Sequence, residues 1–421
     1  MQEILMSKHH IRVAYTYNPY VRSVCFGVFV GAGSRFETPT INGISHMIEH
    51  MCFKGTARRT ALALSKEMDE LGANFNAYTS KEITAYYVQC IDDCVEPAVD
   101  ILSDLVLHHT FPADEMEKEK EVVLEEIDMC ADAPEDLVSD VAGFAHWGED
   151  PLGYTVLGAK DNIRRFTPDD LFAYERARYV ASNVVLSVVG NISREQVLDL
   201  ADRYFAFPQG EASLPNADPV HRGGVQKGES KGVEQTNLIV TYPGLPYGDP
   251  DTPALSVLDS VLGGAASSIL FQKLREEAGL AYSVYSYPSS YAGAGAYSVY
   301  VGTNPSKADK AVKMIADIVR DLRKEGIDAD QLRRGRQLTR SGFVLATESC
   351  MAIMRGQARR LLQLDAPLDI DKEIAKLDAV TLEDVKRVID RIFSRTPTIA
   401  VVAGNIDKDY TVYFNEGQDG K

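Results

Sequence analysis

Two halves of this chain follow one plan, and that constrains the fold more than any other feature. Val188-Val-Gly-Asn-Ile192 returns as Val402-Ala-Gly-Asn-Ile406, Ala85-Tyr-Tyr-Val88 as Ala296-Tyr-Ser-Val299, and Thr38-Pro39 as Thr252-Pro253. The pairs keep their order at one offset of about 210 residues, far beyond the period of a solenoid, so the pattern implies a duplicated domain. At 421 residues the chain is also too long for one ordinary core. Residues 208–232, rich in Pro, Gly and polar side chains and without an apolar period, read as a linker. The expected organisation is a first domain over residues 1–207, the linker, and a homologous second domain over residues 233–421.

Within each half, strands and helices come in mixed blocks. Val21–Val30 has the β-branched and aromatic content of a strand. Ile44–Phe53 reads as a short helix, and Ala61–Leu71 as a second one stopped by Gly72. Asn74–Thr79 and Ile83–Ile91 read as strands joined by a tight turn. Val95–Leu107 and Asp114–Met129 have helical spacing. Thr167-Pro-Asp-Asp-Leu171 has a helix start, with Thr as cap and Pro at the first helical position. Val184–Val189 and Thr398–Val402 read as buried strands. Strict alternation of strand and helix is missing, so the expected class is α+β, with two homologous α/β-layered domains, rather than a doubly wound parallel sheet.

The chemically informative segment is Gly43-Ile-Ser-His46-Met-Ile-Glu49-His50. On a helix, residues four apart share a face, so His46 and His50 can reach one metal ion. Two neutral imidazoles suit Zn²⁺. Glu49 lies to the side, close enough to take a proton from a water polarised by the metal without being forced to ligate. The competing interpretation is a pair of packed helix histidines. A third ligand is required, and carboxylates crowd Glu115 to Glu126. Glu119 and Glu126 are two turns apart and face one way, but such a run is usually a solvated face, and composition alone does not choose among these acids.

The motif His46-x-x-Glu49-His50 followed by Phe53-Lys-Gly-Thr56 resembles the pitrilysin, insulin-degrading enzyme and mitochondrial processing peptidase family, the inverzincins, in a small bacterial processing-protease-like form. Further matching segments are Glu119-Lys-Glu-Val-Val-Leu-Glu-Glu126, Asn76-Ala-Tyr-Thr79, Pro151-Leu-Gly, Thr167–Leu171 and Val188–Ile192, so the resemblance spans nearly the whole chain. It implies Glu126 as third ligand to Zn²⁺, Glu119 as a buried acid supporting the site, and Glu49 as catalytic base. It also implies a two-lobed clam shell. Ser260 stands where the offset would place a second His46, and the second half lacks the motif. That half carries a segment from Ser267 to Tyr285 that resembles the family stretch in which an arginine and a tyrosine assist the reaction. On this resemblance Arg275 orients the substrate backbone and Tyr282 donates to the developing oxyanion. Ile269 departs from the arginine common there.

Unpaired backbone groups of an edge strand accept extended peptides largely regardless of sequence, and the resemblance implies that strand over Ala73, Asn74, Phe75, Asn76, Ala77 and Tyr78, with an ordinary internal strand as the alternative. The expected function is a zinc metalloendopeptidase acting on unfolded peptides or presequence-like segments. Its rival is a non-catalytic or partner-dependent subunit of a heterodimeric processing peptidase. The resemblance implies a homodimer, with a heterodimer as the alternative. A formal charge of −17 disfavours nucleic acid and anionic membranes as partners. The longest apolar run, near Val24–Gly33, is too short to span a bilayer, and the first residues lack a secretory pattern, so a cytoplasmic location is expected. The six cysteines form no CxxC pair and are expected to be reduced, buried thiols.

Overall fold

A computed structural model describes residues 2–213, 219–229, 232, 235–403 and 407–415. Part of the expected linker and residues 404–406, the end of the second Val402–Ile406 repeat, lie outside the described residues. The chain forms two compact units, one of Met1–Ile127, Thr155–Pro215 and Leu345–Ile370, the other of Asp128–Tyr154, Asn216–Val344 and Asp371–Lys421. Both are α+β.

The first unit is built on six strands, β1 (Glu3–Met6), β2 (Arg12–Tyr17), β3 (Ser23–Val30), β4 (Asn74–Thr79), β5 (Thr84–Ile91) and β6 (Val184–Gly190). They lie in the order β1-β2-β6-β3-β5-β4, with β2 and β6 parallel and the other neighbours antiparallel. Its helices are α1 (Ile44–Cys52), α2 (Ala61–Glu70), α3 (Val95–Leu107), most of α4 (Ala113–Asp132), α6 (Lys160–Arg165), α7 (Pro168–Arg178), α8 (Arg194–Tyr204) and α12 (Cys350–Leu364). The second unit has β7 (Gln226–Glu229), β8 (Thr236–Pro243), β9 (Ser283–Tyr291), β10 (Ala294–Thr303) and β11 (Thr398–Val402), in the order β7-β11-β8-β10-β9. Its helices are α5 (Pro134–Trp147), α9 (Thr252–Leu262), α10 (Ala308–Glu325), most of α11 (Ala329–Ala346), α13 (Ile370–Asp378), α14 (Leu382–Ile392) and α15 (Val412–Asn415). The two sheets share a topology. In each, the parallel pair among the described residues includes the strand that leads into the repeated segment, β6 or β11, and the matched segments Ala85–Val88 and Ala296–Val299 fall on the equivalent strands β5 and β10.

The units depart from the sequence halves by two exchanged segments, 128–154 and 345–370. The cause is the second face of each sheet. All of β6 is buried, and one face packs on α1, α3 and their neighbours. The other face exposes Cys25, Phe29, Ala85, Tyr87, Val185 and Val189, and α12 covers it with Ile353, Met354, Ala358 and Leu361. In the second unit α5 packs Leu137, Val138 and Ala142 against Ile239, Tyr300, Ala400 and Val402. β7 lies inside the stretch read as linker. Its Gln-Lys-Gly-Glu sequence has no apolar period because the strand sits at a sheet edge and is held by backbone pairing with β11. Among the described residues, no helix is long and apolar enough to cross a membrane.

The loop after α1 is fastened by a buried carboxylate. Asp104, fully buried on α3, accepts from Thr56 Oγ1 (2.7 Å), Arg58 Nε (2.9 Å) and Arg59 Nη1 (2.8 Å). Burial alone would raise the Asp104 carboxyl, but these hydrogen bonds outweigh it and hold it below the ordinary aspartate value of 3.8. Its stabilising contribution is therefore complete above that value and is lost as pH falls through the depressed folded value. Asp104→Ala, which removes the acceptor of Thr56 and leaves Arg58 to Asp100 and Arg59 to Asp100 and Glu67, is expected to cost about 2 kcal/mol at neutral pH. Denaturant unfolding would measure it, and the gap between variant and wild type should shrink in acid. A variant as stable as wild type would remove the carboxylate from the fold's support.

Candidate metal centre

α1 is positioned from its first turn. Gly43 adopts φ 100°, and a Cβ there would lie 2.9 Å from Gly158 Cα, so neither the conformation nor the space suits a side chain. The buried Glu37 carboxylate accepts from the backbone N–H of Gly43 (2.8 Å) and Ser45 (2.9 Å) and from Asn42 Nδ2 (2.9 Å). It thereby satisfies donors at the helix N-terminus, where negative charge is favoured. Burial pushes the Glu37 carboxyl up, and hydrogen bonds from Ser45, Gly43 and Asn42 offset only part of that rise. Ser45 Oγ donates to Tyr174 Oη at 2.9 Å and ties α1 to α7.

The rest of α1 packs Ile44, Met47, Ile48 and Met51 into the core. His46 and His50 leave that face together, with their Nε2 atoms 3.1 Å apart. Glu126 on α4 brings Oε2 to 3.7 Å from each Nε2. Among the described residues, His46, His50 and Glu126 are the one group of three such side chains whose donor atoms lie within 4.8 Å of one another. Glu119, one of the acids the sequence left undecided, is buried two turns earlier on α4. It accepts from His50 Nδ1 (2.8 Å) and from Lys54 Nζ (2.5 Å).

These residues fit a metal ion. Tetrahedral ligands at about 2.1 Å from zinc lie about 3.4 Å apart, and the observed separations of 3.1 and 3.7 Å bracket that distance. Glu119 at Nδ1 leaves the His50 Nε2 lone pair turned toward His46. Burial and the neighbouring His50 pull the His46 imidazole down to about 3, with Glu119 opposing, so it is neutral at ordinary pH as a ligand must be. Burial also disfavours charge on His50. Its hydrogen bond to Glu119 and the nearby carboxylates Glu49 and Glu126 outweigh that and raise it, so the pocket favours positive charge there.

Glu49 stands outside the converging set. Its Oε2 accepts from Thr79 Oγ1 at 2.6 Å, at the end of β4. Burial raises its carboxyl, Thr79 and His50 oppose that, and Glu126 adds to it. The strand of Asn74 to Tyr78 is the sheet edge, with Ala73 leading into it. Phe75 and Ala77 pack on the α1 side, Thr79 reaches Glu49 on that side, and Tyr78 turns to the opposite face. In the second unit, Arg275 lies on the seven-residue π-helix Phe271–Glu277. Its guanidinium is 4.8 Å from the Phe271 ring and 5.7 Å from the Tyr282 ring, and Tyr282 is 76% exposed.

Two residues at the site escaped sequence reasoning. Thr79 carried a signal, since alternation along β4 puts it on the face of Phe75 and Ala77. Lys54 sits in the Phe-Lys-Gly-Thr motif, but nothing in the sequence pairs it with Glu119.

Residues 12–160 match the family model described as insulinase, peptidase family M16, and residues 165–339 match the one described as the peptidase M16 inactive domain. An uncharacterized zinc protease of Bacillus subtilis, YmxG, is 37% identical over 93% of this chain and 96% of its own length. An uncharacterized zinc protease of Streptomyces coelicolor is 33% identical over 94% and 88%. Among solved structures, a peptidase M16 inactive domain from Pseudomonas fluorescens superposes with a TM-score of 0.90 at 22% identity, covering 96% of this chain and 98% of that one.

Proposed function

This chain belongs to the M16 insulinase family of peptidases, and we propose that within it the chain is a zinc metalloendopeptidase acting on extended, unfolded peptides. The observation that carries this reading is the division of labour around α1. His46, His50 and Glu126 converge as a ligand set, while Glu49 is held apart by Thr79. When bound, zinc would supply Lewis acidity, lowering the pKa of a water and polarising the scissile carbonyl.

The remaining work falls to the chain's own residues. Glu49 takes the proton from the attacking water and passes it to the leaving amine. Thr79 fixes the carboxylate so that one oxygen stays directed for that transfer. Glu119 orients His50 and, with Lys54, keeps its own charge compensated; burial opposes ionisation of Glu119, but those two partners win and hold it below the usual glutamate range. β4 offers its unpaired edge to the peptide backbone, which places a peptide alongside Glu49 with little demand on sequence. Arg275 and Tyr282 enter as assisting groups on the resemblance of their segment alone. We assign the working form to a homodimer on the family resemblance at this chain length.

The test is cleavage of a varied pool of unstructured peptides by the purified protein. Activity should vanish with a zinc chelator and return with added zinc, read by mass spectrometry of the products. No cleavage by protein shown to hold zinc would instead favour a subunit that needs a partner for activity.

A further inference from the structure

The face of the sheet opposite the candidate metal centre carries a cation that has no counter-ion among the described residues. Arg355 is exposed on α12, which packs across β6, β3 and β2. Its guanidinium lies 5.0 Å from the Tyr87 ring and 5.4 Å from the Tyr78 ring, and Nη2 donates to Tyr87 Oη at 2.6 Å. No carboxylate among the described residues pairs with it. Glu82, the acid reached from this helix by Gln363, is already held by Arg35 at 2.5 Å. Arg355 and Arg359 both act to lower the Tyr78 hydroxyl, which burial raises overall.

Tyr78 belongs to the edge strand. A peptide added to β4 would lie about 4.8 Å beyond it and turn alternate side chains to the two faces of the sheet. Those sharing a face with Thr79 meet Glu49. Those sharing a face with Tyr78 come beside the ring under Arg355, about one strand spacing away. Two tyrosine faces and one hydroxyl hold the guanidinium there in advance.

We propose that Arg355 is a specificity residue that selects an acidic side chain, Glu or Asp, at a peptide position projecting on the α12 face of the edge strand. This rests on the peptidase reading and deepens it. The chain is acidic overall, yet a guanidinium stands over a tyrosine of its capture strand.

The experiment uses C-terminally amidated peptides of one length, with Glu, Gln or Lys moved through each position about the cleaved bond. Cleavage is measured with the zinc-loaded protein, and binding by fluorescence anisotropy with its Glu49→Gln variant, for Arg355 and for Arg355→Gln, Arg355→Lys and Arg355→Glu. At one position the native protein should prefer Glu over Gln by about tenfold, the size of a well-placed charge-assisted pair. The preference should fall with added salt. Arg355→Gln should bring the ratio to about one, Arg355→Lys should retain part of it, and Arg355→Glu should favour Lys. An unchanged unfolding midpoint separates these effects from misfolding, and the ratio is in any case insensitive to the amount of folded protein. Cleavage without a Glu preference, or a preference that survives Arg355→Gln, overturns this inference and leaves the peptidase standing. Binding with the preference but no cleavage sinks the catalytic reading and sustains Arg355. Neither binding nor cleavage ends both.

Discussion

Glu49→Gln should retain stoichiometric zinc and lose about a hundredfold to ten-thousandfold in kcat, the range for removing a general base. The substitution preserves shape, and the amide oxygen can still accept from Thr79 Oγ1, so the strand end stays in place. The amide cannot take a proton from water at neutral pH. Because Glu49 lies outside the His46, His50 and Glu126 set, no metal donor is lost. Zinc content by elemental analysis and single-turnover cleavage of one good peptide would check the two halves of the claim. KM should move little, since peptide capture is assigned to the β4 backbone. A variant with native turnover would sink the role of base; one that loses its zinc would make Glu49 a ligand.

The second large effect concerns the support of His50. His50→Ala should abolish stoichiometric zinc, because it removes one of three converging donors and strands Glu119 with Lys54 alone. Glu119→Gln is the more discriminating change. It leaves every donor atom present, yet replaces a buried anion that fixes the His50 ring and raises its basicity. Such supporting partners are typically worth about 10–100-fold in metal affinity. Competition against a chelator of known strength would measure it. Affinity equal to wild type would mean that the imidazole is held well enough by packing and that Glu119 serves only to fasten Lys54.

Local structure was legible where physics is local. The strand read at Asn74–Thr79 and the helix begun at Ile44 follow from alternation and from apolar spacing, and the cap at Thr167 closes on Asp170 as its sequence implies. The metal pair was legible because four residues on a helix bring two side chains to one face. The choice of Glu126 and Glu119 among the acids of α4 was not, since Glu115, Glu117, Glu121 and Glu125 are equally plausible by charge. Only the position of α4 against α1 separates them, and family resemblance stood in for that geometry. Thr79 and Lys54 meet their partners across 30 or more residues, beyond any local pattern. The exchanged helices were hidden for a similar reason. An amphipathic helix shows in sequence that it must be covered, but not by which sheet.

That exchange has a consequence for synthesis. A ribosome that has released only the first half of the chain has made β6 and β3 but not the helix that shields Phe29, Val185 and Val189. The half that carries His46 and His50 is therefore expected to complete its packing late, although nascent domains usually fold as they emerge. It waits, with an oily surface open to chaperones, until Leu361 emerges nearly at the end of translation. A chain cut short before Leu361 is expected to leave this face of the sheet bare, so the two histidines of α1 would sit on a unit that lacks one of its layers.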